Sequence, residues 1–213
     1  EDAEEWLRPI AEIGISDLSL SSDLYHGGLI GTSEAMRGRE AAKKLGIPVD
    51  LLQTCGPVVE MNNVTASEIS NENYSRVLFK GRAAEKLAHL AKQNKWTEFT
   101  ECDSEELEEP GRIHIDPFGF IHVCQGISIG NLLKKSLLQI IDSYKPKEHP
   151  IIGPLIEGGP VALVKKYQVS HESTYADACH LCYQIRKLLR SRFIDCLTPN
   201  QMYNATPDST KAL

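Results

Sequence analysis

Cysteine spacing constrains the fold of this chain more than any other feature of its sequence. Six cysteines occur in 213 residues, but only Cys179 and Cys182 form a C-x-x-C pair. Because no secretory leader precedes them, we expect free thiols in a reducing compartment rather than a disulfide scaffold. Closely spaced intracellular cysteines favour a metal site, and a site built on this pair would need further ligands from distant segments.

Composition indicates a globular protein and excludes two classes of partner. No run of about 18 apolar residues predicts a membrane span, although 41% of the residues are hydrophobic. The net charge of -6 gives no general attraction to nucleic acid or anionic lipid. The densest basic run comprises Arg186, Lys187, Arg190 and Arg192, and we interpret it as the solvated face of a helix.

Strand and helix patterns alternate over the first 96 residues. Helices are predicted over 2–12, 33–45 and 82–93, and strands over 13–20, 47–54 and 71–80. Pro9 should lie near a helix start or interrupt the helix. Because a helix between two strands carries the chain back across a sheet, this segment predicts α/β construction with largely parallel strands.

An acidic segment that begins at residue 97 marks the predicted domain boundary. Beyond it, alternating apolar residues flank Asp116-Pro117-Phe118-Gly119, which predicts a β-hairpin whose second strand ends at Cys124. The remaining elements are predicted as a loop over 125–131, a helix over 131–143 capped by Asn131, mostly irregular chain over 145–160, a short helix over 160–167 and an amphipathic helix after the C-x-x-C pair. We expect residues 204–213 to form a disordered tail.

Four cysteines of the C-terminal half are the candidate ligands of one site. They are Cys102, Cys124, Cys179 and Cys182. The C-x-x-C pair lies where a loop becomes a helix, so backbone N–H groups point at its sulfurs. Four thiolates suit tetrahedral zinc as well as a [4Fe–4S] or [2Fe–2S] cluster, and buried thiols without metal are a third alternative. The residues alone leave these alternatives open, and we interpret Cys55 and Cys196 as ordinary buried thiols.

At these residues the chain resembles the auxiliary-cluster domains, called SPASM and twitch, that follow the catalytic barrel in radical S-adenosylmethionine proteins. Two motifs carry the resemblance: HIDPFGFIHVCQGISIGN at 114–131 and ACHLCY at 178–183. The resemblance implies a [4Fe–4S] cluster on the four cysteines. It implies one cluster only, because the further cysteines of a full SPASM domain are absent.

The first 96 residues are similar, more weakly, to the C-terminal part of a radical S-adenosylmethionine barrel. This similarity implies a partial (β/α) barrel over 1–96, followed by a small α+β auxiliary-cluster domain with a β-hairpin over 97–203. No three of the six cysteines have the C-x3-C-x2-C spacing of the family's cofactor-cleaving loop. We therefore expect the chain to require a missing N-terminal barrel portion or a partner chain, and not to cleave S-adenosylmethionine alone.

Polar residues at predicted strand ends are the candidate cofactor-binding residues, because ligands of an α/β barrel meet the C-terminal ends of its strands. The preferred set is Ser22, Asp23, His26 and Arg82. In the intact protein these side chains would contact S-adenosylmethionine or substrate. A simple capping role, for Asp23 in particular, is the alternative.

Two functions from different classes fit this pattern. The first is the auxiliary [4Fe–4S] portion of a radical S-adenosylmethionine enzyme, where the cluster transfers electrons or positions a peptide or small-molecule substrate. The second is a non-catalytic domain in which zinc on the same cysteines holds loops together. In both cases we expect a cytoplasmic protein without a nucleic-acid or membrane partner.

Overall fold

The computed structural model describes residues 2–22, 34–54, 56–57, 74–75 and 77–204. The chain divides into two units, Glu1–Val77 and Leu78–Leu213, whereas the sequence pattern places a boundary at residue 97. Residues 78–96 belong to the second unit because strand Asn94–Lys95 pairs with Thr174–Tyr175, far along the chain. No helix in the described part of the chain is both long and apolar enough to cross a bilayer.

The first unit is a parallel sheet combined with two helices. Its elements are helix α1 (Ala3–Ile13), strand β1 (Leu18–Ser21), helix α2 (Glu34–Lys44), strand β2 (Val49–Thr54) and the short strand β3 (Tyr74–Ser75). Strand β2 lies between the other two and pairs with both in parallel. The α/β construction expected here is present. The described strands form small sheets and no closed barrel, so the partial barrel stays a prediction.

Small side chains allow the helices of the first unit to pack closely. Its core contains Leu7, Ala41, Ala42 and Ile47, all nearly inaccessible to solvent. Pro9 lies within α1 and does not end it, so the expectation that it lies near the helix start or interrupts the helix is wrong. The helix continues past Pro9 with the loss of one backbone hydrogen bond.

The second unit begins with a helix much shorter than the pattern predicts. Helix α3 spans only Arg82–Lys86 and is followed by a 3-10 turn, Ala88–Leu90. The side-chain amide of Gln93 donates to the carbonyls of Ala88 and Ala91. The chain then enters β4 (Asn94–Lys95), so tertiary pairing with a distant strand ends a helix that local propensity would continue.

The predicted hairpin is present and acquires a third strand. Strands β5 (His114–Ile115), β6 (Phe120–Cys124) and β7 (Ile127–Asn131) form an antiparallel sheet. Asp116 organises the first turn, because its Oδ1 accepts from the backbone N–H groups of Phe118 and Phe120. The predicted loop over 125–131 is wrong, since Gly126 at φ +82° allows a second tight turn into β7.

Helix α4 (Leu137–Asp142) begins later than predicted. Ser136 caps it in a capping box with Gln139. Asn131 is not the cap, because its amide instead donates to the Phe118 carbonyl and its Oδ1 accepts from the Leu133 N–H across the hairpin turn.

The chain over 145–160 is predicted to be mostly irregular, but from residue 152 onward it belongs to a long helix with a break, α5 (Ile152–Tyr167). Pro154 is tolerated because it lies in the first turn, where backbone N–H groups lack helical partners. Gly158 and Gly159 interrupt the helix, and Pro160 begins its second segment, where the sequence predicts a helix over 160–167. Gly159 has φ +60°, and an added Cβ would lie 2.4 Å from the backbone nitrogen of Glu101.

His149 closes the N-terminus of α5. Its Nδ1 accepts from the backbone N–H groups of Ile151 and Ile152, both at 3.1 Å, which requires a neutral ring. Burial lowers the pKa of His149 to about 4, against a smaller opposing effect of its hydrogen bond to the Ser128 backbone.

The helix predicted after the C-x-x-C pair is α6 (Ala178–Leu189), which follows β8 (Thr174–Tyr175) and begins one residue before the pair, so it includes both cysteines. Asp177 caps it by accepting from the His180 N–H. The basic run is only partly solvated, which corrects the sequence interpretation: Arg186 and Arg190 are buried, with 1% and 7% of their surfaces exposed. The predicted disordered tail lies outside the described residues except for Asn204.

Replacing Gly159 by alanine should destabilise the protein by about 2–3 kcal/mol, because the new methyl group would overlap backbone atoms and the residue would keep a positive φ. Urea unfolding monitored by circular dichroism measures the change. Gly158→Ala is the matched control, since Gly158 has extended φ of -173° and a Cβ there meets only the Ala162 side chain, at 3.2 Å. Equal losses in both variants would contradict this account of the break.

Acidification should weaken the fold through His149. Its folded pKa lies below the unfolded value, so its contribution is complete above about pH 6.5 and is lost as the pH falls towards 4. His149→Asn keeps an acceptor for the helix N-terminus but does not titrate. The fall in unfolding free energy between pH 7 and pH 4 should therefore be smaller in this variant, by on the order of 2 kcal/mol. An unchanged fall would exclude His149 as the titrating group.

Candidate metal centre

The four cysteines predicted as ligands line one cavity of the second unit, which we call the cysteine cavity. Cys102 lies in the loop after the 3-10 turn Trp96–Glu98, and Cys124 ends β6. Cys179 and Cys182 lie near the N-terminus of α6. Other lining residues include the apolar Leu107, Ile127, Leu155 and Pro160 and the polar Lys80, Ser104 and Arg186. Three distant segments thus contribute thiols to one mostly apolar space.

The cysteine cavity is closely packed. Free space between its lining side chains totals about 360 Å³ with the open mouth included, but very little of that space is wide enough for a water molecule. A group of several atoms would therefore bind only if the lining side chains moved outward. Among the residues that the structure describes, no three histidine, cysteine, aspartate or glutamate side chains form a group that could hold one metal ion.

The thiols of the helical pair are strongly desolvated. Burial raises the pKa of Cys179 to about 12, although Lys80 and a contact of 3.0 Å between the Ser104 Oγ and the Cys179 Sγ act in the opposite direction. Burial likewise raises the pKa of Cys182 to about 11, against the opposing effect of Arg186. Both thiols are therefore protonated at neutral pH, and a metal would have to displace these protons.

Cys102 is held by its own loop. Burial raises the pKa of its thiol, as does the neighbouring Cys124, but backbone N–H groups of Ser104 and Glu105 donate to the sulfur and oppose that rise. Backbone donors of this kind stabilise a thiolate, and they are frequent around cluster-bound sulfurs. The loop therefore presents Cys102 in an arrangement suited to a ligand.

Two cations line the same cavity. The ammonium of Lys80 lies 3.3 Å from Glu105 Oε1, and both side chains are 9% exposed. Burial lowers the pKa of Lys80, but the charges of Cys124, Cys179 and Glu105 outweigh this effect and raise it overall. Arg186 is 1% exposed and donates to the carbonyl of Gln125 at 2.7 Å and to the hydroxyl of Tyr203 at 3.2 Å. Positive charge is thus built into the walls around the thiols.

Sequence reasoning missed Lys80, Ser104, Glu105 and Arg186. One signal was available for Arg186, because it follows Cys182 by four residues and so lies on the same helix face. Nothing in the sequence near Lys80 relates it to Cys102, which lies 22 residues further along the chain. Only the tertiary fold brings Lys80 to the cavity.

The remaining predicted residues either do not line the cysteine cavity or lie outside the described residues. Ser22, in the first unit, is buried and its N–H donates to the Leu52 carbonyl. Arg82 is exposed at the start of α3 in the second unit. Asp23, His26 and Cys55 lie outside the described residues. Cys196 is half-buried and does not line the cavity, and its thiol contacts the Phe193 carbonyl.

A scan against protein-family models and searches of curated proteins and of solved structures found no match to this chain. What the site binds is therefore inferred from its donor atoms, burial and charges.

Replacing Arg186 by methionine should lower the free energy of unfolding of the metal-free protein by about 3 kcal/mol, because buried acceptors would lose their donor. Lys187→Met is the matched control on the neighbouring residue. Lys187 pairs with Glu85 at 2.7 Å, but its side chain is 42% exposed, so the control should lose less than about 1 kcal/mol. Urea titration compares the two, and similar losses would contradict a structural role for the buried guanidinium.

Proposed function

We propose that the second unit binds one [4Fe–4S] cluster through Cys102, Cys124, Cys179 and Cys182 and serves in electron transfer. The observation that carries the proposal is the convergence of four thiols from three chain segments on one cavity. Two buried cations in the same walls support it, because four thiolates bring more negative charge than the metal core offsets. In donor number, donor type and charge, the residues present fit such a group.

The family resemblance favours a cluster over a single zinc ion, and the two groups differ in the sulfur positions that they require. Zinc binds sulfur at about 2.3 Å, so a tetrahedral zinc site needs its sulfurs roughly 3.8 Å apart around one point. A cluster is several atoms wide, so the closely packed lining of the cysteine cavity would have to move outward to admit it. In this chain the thiols line a cavity whose walls also include apolar side chains. The zinc-stapled domain remains the alternative that the experiment below distinguishes.

Electron transfer fits the site better than substrate ligation. When bound, the cluster supplies one-electron redox chemistry. If all four cysteines bound the cluster, each iron would already have a protein ligand, and no iron would remain open to a substrate. Cys124, Cys179 and Cys182 are buried, with 5%, 7% and 8% of their surfaces exposed. The protein's part is to hold the sulfurs, exclude water and surround them with fixed charges.

The wider context of the proposal is the resemblance to radical S-adenosylmethionine proteins. In that context the chain is the auxiliary-cluster portion of such an enzyme, and the cofactor-cleaving cluster belongs to a missing N-terminal portion or a partner chain. Ser22, Asp23, His26 and Arg82 would then contact S-adenosylmethionine or a peptide or small-molecule substrate only in the intact protein. Free cysteines among the described residues agree with a reducing compartment, and we propose the cytoplasm.

Anaerobic purification of the chain, followed by iron, sulfide and zinc analysis, tests the cluster. We expect a brown protein with about four iron and four sulfide per chain. A colourless protein with one zinc and no sulfide would refute the cluster and support the zinc-stapled domain.

Serine substitutions test the ligand set in the same assay. Cys102→Ser, Cys124→Ser, Cys179→Ser and Cys182→Ser should each lower bound iron sharply, because serine oxygen is a poor replacement for thiolate. Cys196→Ser is the matched control, since this half-buried thiol does not line the cavity, and it should keep the iron. Equal iron loss in Cys196→Ser and Cys179→Ser would show that the ligands are wrongly assigned.

A further inference from the structure

The two cations of the cysteine cavity are held in different ways. The hydrogen-bond donors of Arg186 are used by the fold. Its Nη1 donates to the carbonyl of Gln125 and to the hydroxyl of Tyr203, and its Nε donates to the carbonyl of Cys182 at 3.4 Å. Its described partners are neutral oxygens. Lys80, in contrast, is paired with a carboxylate. Arg186 therefore contributes a fixed positive charge near the thiols, whereas the charge that Lys80 contributes is partly offset by Glu105.

The Lys80–Glu105 pair is shielded from water but extends to the surface. Each side chain is 9% exposed, and their polar atoms are 3.3 Å apart. The second carboxylate oxygen of Glu105 accepts from Arg112 at 3.1 Å, and the Arg112 side chain is 67% exposed. Glu105 also follows Cys102 in the loop whose backbone N–H groups donate to the Cys102 sulfur. The side chain of Glu105 thus positions Lys80, and the backbone of Glu105 contacts the thiol of Cys102.

We infer that Lys80, held in place by Glu105, is a residue that tunes the reduction potential of the group bound in the cysteine cavity. This inference rests on the proposed cluster. Four thiolates around a core of charge 2+ carry a net charge of 2-, and one-electron reduction makes it 3-. A buried cation stabilises the more negative state more strongly, since Coulomb interactions are weakly screened in the interior.

The sign of the effect differs between the two partners, which separates an electrostatic role from a packing role. Loss of the lysine charge should make reduction harder and shift the midpoint potential downward. Loss of the glutamate charge leaves the ammonium uncompensated and should shift it upward. A residue that merely supported the fold would not produce opposite shifts.

Reductive titration with dithionite and mediator dyes, followed by absorbance and electron paramagnetic resonance, tests the inference on the anaerobically prepared protein. Lys80→Met should lower the midpoint potential, Glu105→Gln should raise it, and Lys80→Arg should keep it near the wild-type value. Lys86→Met is the matched control, because Lys86 is an exposed lysine of α3 and should leave the potential unchanged.

Two kinds of result would overturn the inference, and they are distinguishable. If the wild-type protein binds no cluster, the proposed function fails and the inference fails with it. If the cluster is present but Lys80→Met and Glu105→Gln shift its potential in the same direction, or no more than Lys86→Met does, Lys80 does not tune it. Should Lys80→Met lose its iron, the shift of Glu105→Gln relative to Lys86→Met decides the question.

Discussion

The second unit depends most on the hydrogen bonds that the buried guanidinium of Arg186 donates. Arg186 lies on α6 and joins this helix to the β6–β7 turn through the Gln125 carbonyl and to the 3-10 turn Asn200–Tyr203 through the Tyr203 hydroxyl. The same hydroxyl donates to the Gly126 carbonyl at 2.7 Å, and the Tyr203 ring stacks on Tyr183 of α6. Because Cys124 precedes this turn and Cys179 and Cys182 lie on α6, the network brings the three thiols to one cavity.

Different hydrogen-bond donors and cations lie near the buried sulfurs of the cavity. A loop offers backbone donors to Cys102, and a serine hydroxyl contacts Cys179. Lys80 and Arg186 place positive charge near the sulfurs, and both oppose the effect of burial on a nearby thiol. Burial alone would disfavour thiolates in this cavity, and these donors and cations make it more favourable for an anionic group. These contacts support the cluster proposal independently of the family resemblance.

Local patterns predicted some elements well and failed where distant contacts decide. The hairpin around Asp116 and the helix after the C-x-x-C pair were predicted because turn chemistry and helical periodicity are local properties. The helix predicted to reach residue 93 ends at Lys86, since β4 pairs with a strand some 80 residues away in sequence. The glycine and proline residues over 145–160 suggested irregular chain. Several of them instead occupy the first turn and the break of α5, and the close approach of the Glu101 backbone leaves no room for a side chain at Gly159.

For this protein, sequence alone determined the identity of the thiols, the hairpin that ends at one of them and the helix that carries two more. Spacing, turn residues and periodicity involve only a few neighbouring residues, so they can be recognised in the sequence without the tertiary structure. Only the tertiary structure decided that the four cysteines share a cavity and that Lys80, Glu105 and Arg186 surround it. It also showed that half of the apparent solvated basic face is buried. Burial and charge pairing depend on which distant segments meet, and no local pattern encodes that choice.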